Sequence, residues 1–136
     1  MTGLLIAILS AIAVLHLIWT LGFNWPIRDE IALARAVVGA KGIARMPPRW
    51  ASALVACALF GATLLVAMLA NLMPVSLPSG LTTVAGWGMV GVFALRGGAS
   101  YLPVWRRHQE ACFDRLNRIL YGPLCLLIAV LTAAHI

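Results

Sequence analysis

Four stretches of this chain are almost wholly apolar: residues 3–23, 51–73, 81–102 and 119–136. The only charged residue in any of them is Arg96, near the end of the third. A helix needs about 20 residues to cross a hydrocarbon layer ~30 Å thick, and each stretch is near that length. Asn24-Trp25-Pro26 closes the first with a polar residue, an interfacial aromatic and a helix breaker. Met73 to Gly80, with Pro74 and Pro78, reads as a short uncharged turn between the second and third. Pro123 falls in the first turns of the fourth, where proline is tolerated; further in, it would kink the helix. The pattern predicts one membrane domain over residues 1–136, an all-α four-helix transmembrane bundle.

The two intervening polar segments, 27–50 and 103–118, also carry helical periodicity. In the first, Ile27, Ile31, Ala34 and Val38 recur at spacings of three and four, which predicts a short amphipathic helix ended by Gly39 or Gly42. In the second, Trp105, Phe113, Leu116 and Leu120 can share a face, with Arg106, Glu110, Asp114 and Arg118 as an ion-pair ladder at four-residue spacing. This helix is expected to lead directly into the fourth span. The two halves of the chain also share a layout, a span followed by a basic segment and a second span, although their residues match too loosely to establish a duplication.

Composition excludes several classes. With 62% hydrophobic residues, 10% charged residues and a mean hydropathy of +0.98, the chain cannot cover itself as a small soluble enzyme, a nucleic-acid-binding domain or a disordered tail. The net charge of +6 does not point to nucleic acid, because the basic residues lie between apolar stretches. The first polar segment holds Arg28, Arg35, Lys41, Arg45 and Arg49 against Asp29 and Glu30. The second region holds Arg96, Arg106, Arg107, Arg115 and Arg118 against Glu110 and Asp114. Four spans bring both regions to one side, which the excess of basic residues makes cytoplasmic, with both termini outside. Met1-Thr2-Gly3 offers no positive charge ahead of the first apolar run, so a retained helix is expected there, not a cleaved signal.

Few residues inside the spans carry chemistry. His16, Cys57 and Cys125 fall at similar depth below the basic side, at about two helical turns. They could form a metal or thiol site, although small buried cysteines and a helix-bonded histidine are the ordinary reading. The three cysteines lack CxxC spacing and form no disulfide framework. His16, His108 and His135 lie at different depths, which does not suit a haem held by two histidines. Proton-coupled transport would call for an ionisable group in mid-span, and no acidic residue lies in any span. Gly86, Gly88 and Gly91 permit close helix approach in the third span. No HExxH, phosphate loop or dinucleotide fingerprint occurs.

Two stretches carry a family resemblance. One runs from His16-Leu17-Ile18-Trp19-Thr20-Leu21-Gly22 through Trp25-Pro26 and Glu30 to Val37-Val38-Gly39. The other joins Phe113-Asp114-Arg115-Leu116-Asn117-Arg118 to Tyr121-Gly122-Pro123-Leu124-Cys125. Together they resemble a bacterial family of small four-helix membrane proteins known only as a domain of unknown function. The chain departs from the family pattern at Gly122 and Asn117. The resemblance implies a bacterial inner-membrane location and makes His16, Trp19, Trp25, Glu30, Arg118, Tyr121 and Cys125 the candidate ligand-binding residues. It supplies no activity, cofactor or catalytic residue.

The reading favoured by these residues is a multi-pass protein that binds an apolar ligand, lipid or quinone-like molecule. Its pocket opens to the cytoplasmic leaflet, with His16 and Trp19 in the wall and Glu30 with arginines at the rim. The alternatives are an accessory subunit of a membrane complex and a small intramembrane isomerase or redox enzyme. The expected partners are the bilayer and an apolar small molecule, with a membrane subunit or second copy left open. The topology has a direct check. A reporter active only outside the cytoplasm should be active when fused after Ile136 and silent when inserted after Arg45; the opposite pair of results would invert the orientation.

Overall fold

The computed structural model describes residues 1–74 and 78–136. Residues 75–77 of the expected turn lie outside that set. The described chain is all-α. Its elements are α1 (Thr2–Thr20), α2 (Glu30–Val37), α3 (Arg49–Leu69), α4 (Ser79–Ala99), α5 (Pro103–Arg106), α6 (Ala111–Leu116), a π turn (Asn117–Tyr121) and α7 (Gly122–Ala133). Among the described residues there is no strand, only an isolated bridge between Ala40 and Gln109.

Among the described residues three helices are long and apolar enough to cross a membrane: Thr2–Thr20, Arg49–Leu69 and the continuous run Ala111–Ala133. The last joins α6, the π turn and α7, so the second polar segment does feed straight into the final apolar stretch. Helix α4 equals α3 in length, but its glycines, threonines and Arg96 make it less apolar. The π turn lies just ahead of Pro123, whose ring would collide with the carbonyl four residues back in a regular α-helix. Widening the turn relieves that conflict, and the Gly122 N–H bonds back to the Asn117 carbonyl.

Helix α1 packs along α3 and α4 packs along α7, with the two pairs meeting through α3–α4 and α1–α7 contacts. The core is a stripe from each helix: Leu5, Leu9 and Ala13; Leu59 and Val66; Met89; Ile128 and Leu131. Outside this core the helices present Leu4, Val14, Leu54, Leu64, Val84, Val92, Leu95 and Val130 to the surroundings. So continuous an apolar exterior is unusual for a soluble monomer and suits lipid contact. Helices α4 and α7 approach closely at Gly97 and Gly122. A Cβ on Gly122 would lie 2.9 Å from Ser100 Cβ, and one on Gly97 would lie 2.7 Å from Leu126 Cγ.

Both polar segments sit at one end of the molecule and are fastened to each other. The Lys41 N–H donates to the His108 carbonyl (3.1 Å) and the Glu110 N–H to the Gly39 carbonyl (2.7 Å). The Gly42 N–H donates to Glu110 Oε1 (2.9 Å). At the opposite end Thr2 Oγ1 and His135 Nε2 lie 3.3 Å apart, so the chain termini are neighbours.

The two polar helices differ in detail from their expected faces. Asp29 caps α2 by accepting from the Ala32 N–H (2.7 Å), so the helix begins at Glu30 and Ile27 lies outside it. Leu33, Ala34 and Ala36 are its buried side, while Ile27 and Ile31 remain exposed. In the second segment the helix breaks between Arg106 and Ala111, which removes the Arg106–Glu110 rung of the expected ladder and keeps the Asp114–Arg118 rung. Arg106 pairs with Asp114 across the break (2.8 Å), and Arg118 joins the same carboxylate (3.3 Å). Phe113 is buried, whereas Trp105 and Leu120 are exposed.

Gly39 has φ +74° and lies against the Phe113 ring, with no room for a Cβ. Gly42 has the same backbone (φ +75°) with nothing near it. In detergent, Gly42→Ala should cost about 1 kcal/mol of unfolding free energy, the left-handed backbone alone. Gly39→Ala should cost about 2–3 kcal/mol, since the ring must also move. Equal losses in a thermal melt would show that the Phe113 contact has slack.

Candidate functional site

A partly open pocket of about 130 Å³ lies at the charged end, bordered by α1, the end of α2, the following loop and the start of α3. His16, Trp19, Val37, Val38, Met46, Pro47, Ala51, Ser52 and Val55 form its walls. Three separate features of the chain shape it. The α2 helix ends at Val37 and Gly39 turns the backbone away, leaving Val37 and Val38 against α1. Pro47 and Pro48 then carry the chain into α3, whose first turns present Ala51, Ser52 and Val55 at helical spacing. On the α1 side, His16 and Trp19 are three apart and share a face.

The histidine has a defined orientation. Its Nδ1 is 2.9 Å from the Ile12 carbonyl, one turn back. A carbonyl oxygen only accepts, so Nδ1 carries the proton, and in the neutral ring Nε2 offers a lone pair. Trp19 meets the imidazole edge-on, with ring centroids 4.8 Å apart and planes at 62°. The Trp19 indole N–H donates to the Trp25 carbonyl (2.8 Å), which fixes that ring in turn. Ser52, 6% exposed, adds a hydroxyl to the opposite wall. The arrangement is a partly open, mainly apolar pocket lined by one oriented imidazole and one hydroxyl.

The candidate residues separate into groups. His16 and Trp19 line the cavity. Trp25 and Glu30 do not, but they hold parts that do: Trp25 through the Trp19 indole, and Glu30 through Oε1, which accepts from the Met46 N–H (3.1 Å). Tyr121 donates to the Ala36 carbonyl (3.2 Å) and fastens α2 to the π turn. Arg118 is engaged with Asp114, and half-buried Cys125 lies in α7, away from the cavity walls. Cys57 is exposed, and no group of three or more metal-ligating side chains gathers among the described residues. His108 turns to the Val104 carbonyl (3.0 Å), well separated in role from His16. Sequence reasoning overlooked Ser52, Met46 and Pro47. A hydroxyl in the first turns of an otherwise apolar span was the available signal for Ser52, while the loop residues gave none.

A second polar cluster joins α4 to the π turn. Arg96 Nη1 donates to Ser100 Oγ (3.1 Å) and to Asn117 Oδ1 (3.0 Å), and Ser100 Oγ donates to Asn117 Oδ1 (3.1 Å). Ser100 and Asn117 are fully buried.

Apolar helices fastened at one end by two cationic segments define a helical protein compatible with a membrane. The chain belongs to the family described as protein of unknown function (DUF3995), matched over residues 9–132. No curated protein and no solved structure matches it.

Proposed function

We propose that this protein is a multi-pass four-helix membrane bundle with its charged end in the cytoplasm, and that the His16 cavity receives the head of a lipid-soluble molecule. The membrane is the bacterial inner membrane, and the charged segments lie at the headgroup level. The observation that carries the ligand reading is the pocket itself: about 130 Å³, partly open and mainly apolar, with the His16 imidazole fixed at Nδ1 in its wall. An apolar cavity of roughly 150 Å³ holds one benzene ring. The space therefore fits one ring-sized head, with an attached tail lying along the apolar helix surface. An oriented Nε2 lone pair selects a head that donates a hydrogen bond, such as a phenol or the reduced form of a quinone. Trp19 supplies an aromatic wall for the ring.

A short-tailed hydroquinone and its dimethyl ether test this by calorimetry on the purified protein in mild detergent. The hydroquinone should bind and the ether should bind about fivefold more weakly, the worth of one hydrogen bond of ~1 kcal/mol. His16→Ala should erase that difference while leaving the melting profile intact. Ala51→Phe, which fills the chamber from α3, should abolish binding of both. Undiminished hydroquinone binding by Ala51→Phe would overturn the proposal, as would recovery of the protein from native membrane only as part of a larger complex with no retained small molecule.

A further inference from the structure

Arg96 is the one charged residue of α4, three residues before the end of that helix, whereas Arg115 and Arg118 stand in the polar first part of the Ala111–Ala133 run. Charges at such positions are costly and are normally neutralised or used. Among the described residues no carboxylate pairs with it: the ion pairs formed are those of Asp114 with Arg106 and Arg118. Its two side-chain partners, Ser100 and Asn117, are neutral and both meet Nη1. They fix the direction of the guanidinium without cancelling its charge, and Nε and Nη2 form no hydrogen bond within the described residues. The Phe113 ring lies on one side, 6.0 Å from the guanidinium carbon. The residue keeps part of its surface open.

Asn117 gives a second, independent indication. Its Oδ1 accepts from both Arg96 and Ser100, yet its Nδ2 is enclosed with no acceptor among the described residues. Leaving a buried donor unsatisfied is destabilising, and apolar side chains would pack the same space at lower cost. The cluster is therefore poorly explained as a stabilising device. It is well explained as a mount for one oriented positive charge.

We infer that Arg96 anchors a site for a single phosphate group, supplied by the headgroup of an anionic lipid. The free edge of a guanidinium matches two phosphate oxygens in a fork that an ammonium cannot reproduce. Its depth fits the same source. Three residues from the helix end correspond to about 4.5 Å along the axis, just inside the boundary where headgroups meet acyl chains. The inference rests on the membrane placement proposed above but not on the His16 cavity.

Native mass spectrometry of the protein in detergent, supplied with equal amounts of phosphatidylglycerol and phosphatidylcholine, reads the site directly. The wild type should retain one phosphatidylglycerol per chain in preference to phosphatidylcholine. Arg96→Gln should reduce that occupancy about tenfold. Asn117→Asp, nearly isosteric, sets a carboxylate against the guanidinium and should release the lipid with the helices still packed. Arg107→Gln removes an exposed cation outside the cluster and should leave occupancy unchanged. Equal losses in Arg96→Gln and Arg107→Gln would reduce the effect to diffuse attraction and overturn the site. So would full occupancy in Asn117→Asp, or equal retention of phosphatidylcholine by the wild type. Excess inorganic phosphate distinguishes the sources: the lipid should stay bound, and its displacement would assign the site to soluble phosphate instead. Hydroquinone binding by Arg96→Gln stays at the wild-type level if the two sites are independent, which separates failure here from failure of the cavity reading.

Discussion

Phe113 can lie against Gly39 only because position 39 has no side chain and a left-handed backbone. Much of the charged end depends on that contact. It brings the loop after α2 close enough for Gly39, Lys41 and Gly42 to bond with the 108–110 segment. With the loop held there, Val37 and Val38 close over His16, and Glu30 fixes Met46 beside them. Without it α2 would be an eight-residue helix, too short to persist on its own propensity. The cavity is thus made by a long-range docking event, although nearly all of its wall comes from the first half of the chain.

That dependence explains what could be read from the sequence. The apolar stretches, the gathering of both cationic segments at one end and the pairing of His16 with Trp19 are all local or compositional, and uncharged runs report them directly. The observed helices Thr2–Thr20 and Arg49–Leu69 fall within a few residues of the expected spans. The role of Glu110 was not legible, because its carboxylate serves a backbone N–H sixty-eight positions away. Half of the ion-pair ladder failed for a related reason: four-residue spacing has meaning only while a helix continues, so Asp114 and Arg118 pair as expected while the break between Arg106 and Ala111 sends Arg106 to Asp114 and not to Glu110. Asp29 set the start of α2, which leaves Ile27 outside the helix; of the expected face Ala34 is buried, joined by Leu33 and Ala36, while Ile31 is exposed. The Arg96 cluster was hidden because the bonds to Asn117 exist only once α4 and the π turn are placed side by side.

Polar groups in these helices are handled in two ways. Thr20, Thr63 and Thr132 each donate to the carbonyl four residues back, as His16 does to Ile12. Such bonds satisfy the group within its own helix, so it imposes nothing on its neighbours. For His16 this local bond consumes Nδ1 and leaves Nε2 without a hydrogen bond among the described residues. Asn117 follows the other route: Arg96 and Ser100 are one turn apart on the same helix, but both donate across to Asn117 Oδ1, joining two elements through bonds that only the packed structure can make. The close approach that permits them comes from Gly97 and Gly122, where a Cβ would meet Leu126 and Ser100.

The two routes meet at Phe113. One side of its neighbourhood is Gly39, which positions the loop over the His16 cavity, and another is the Arg96 guanidinium. Tyr121 packs beside it at 5.8 Å and reaches Ala36 on α2. The ring has no free space toward Gly39, so a shift of α6 or of the π turn must be passed on to the loop or absorbed by breaking the contact. A π turn is the element of this helix most able to change register, since its hydrogen bonds are already displaced from the α pattern. The loop that borders the His16 pocket is therefore mechanically tied to the helix segment that carries Asn117.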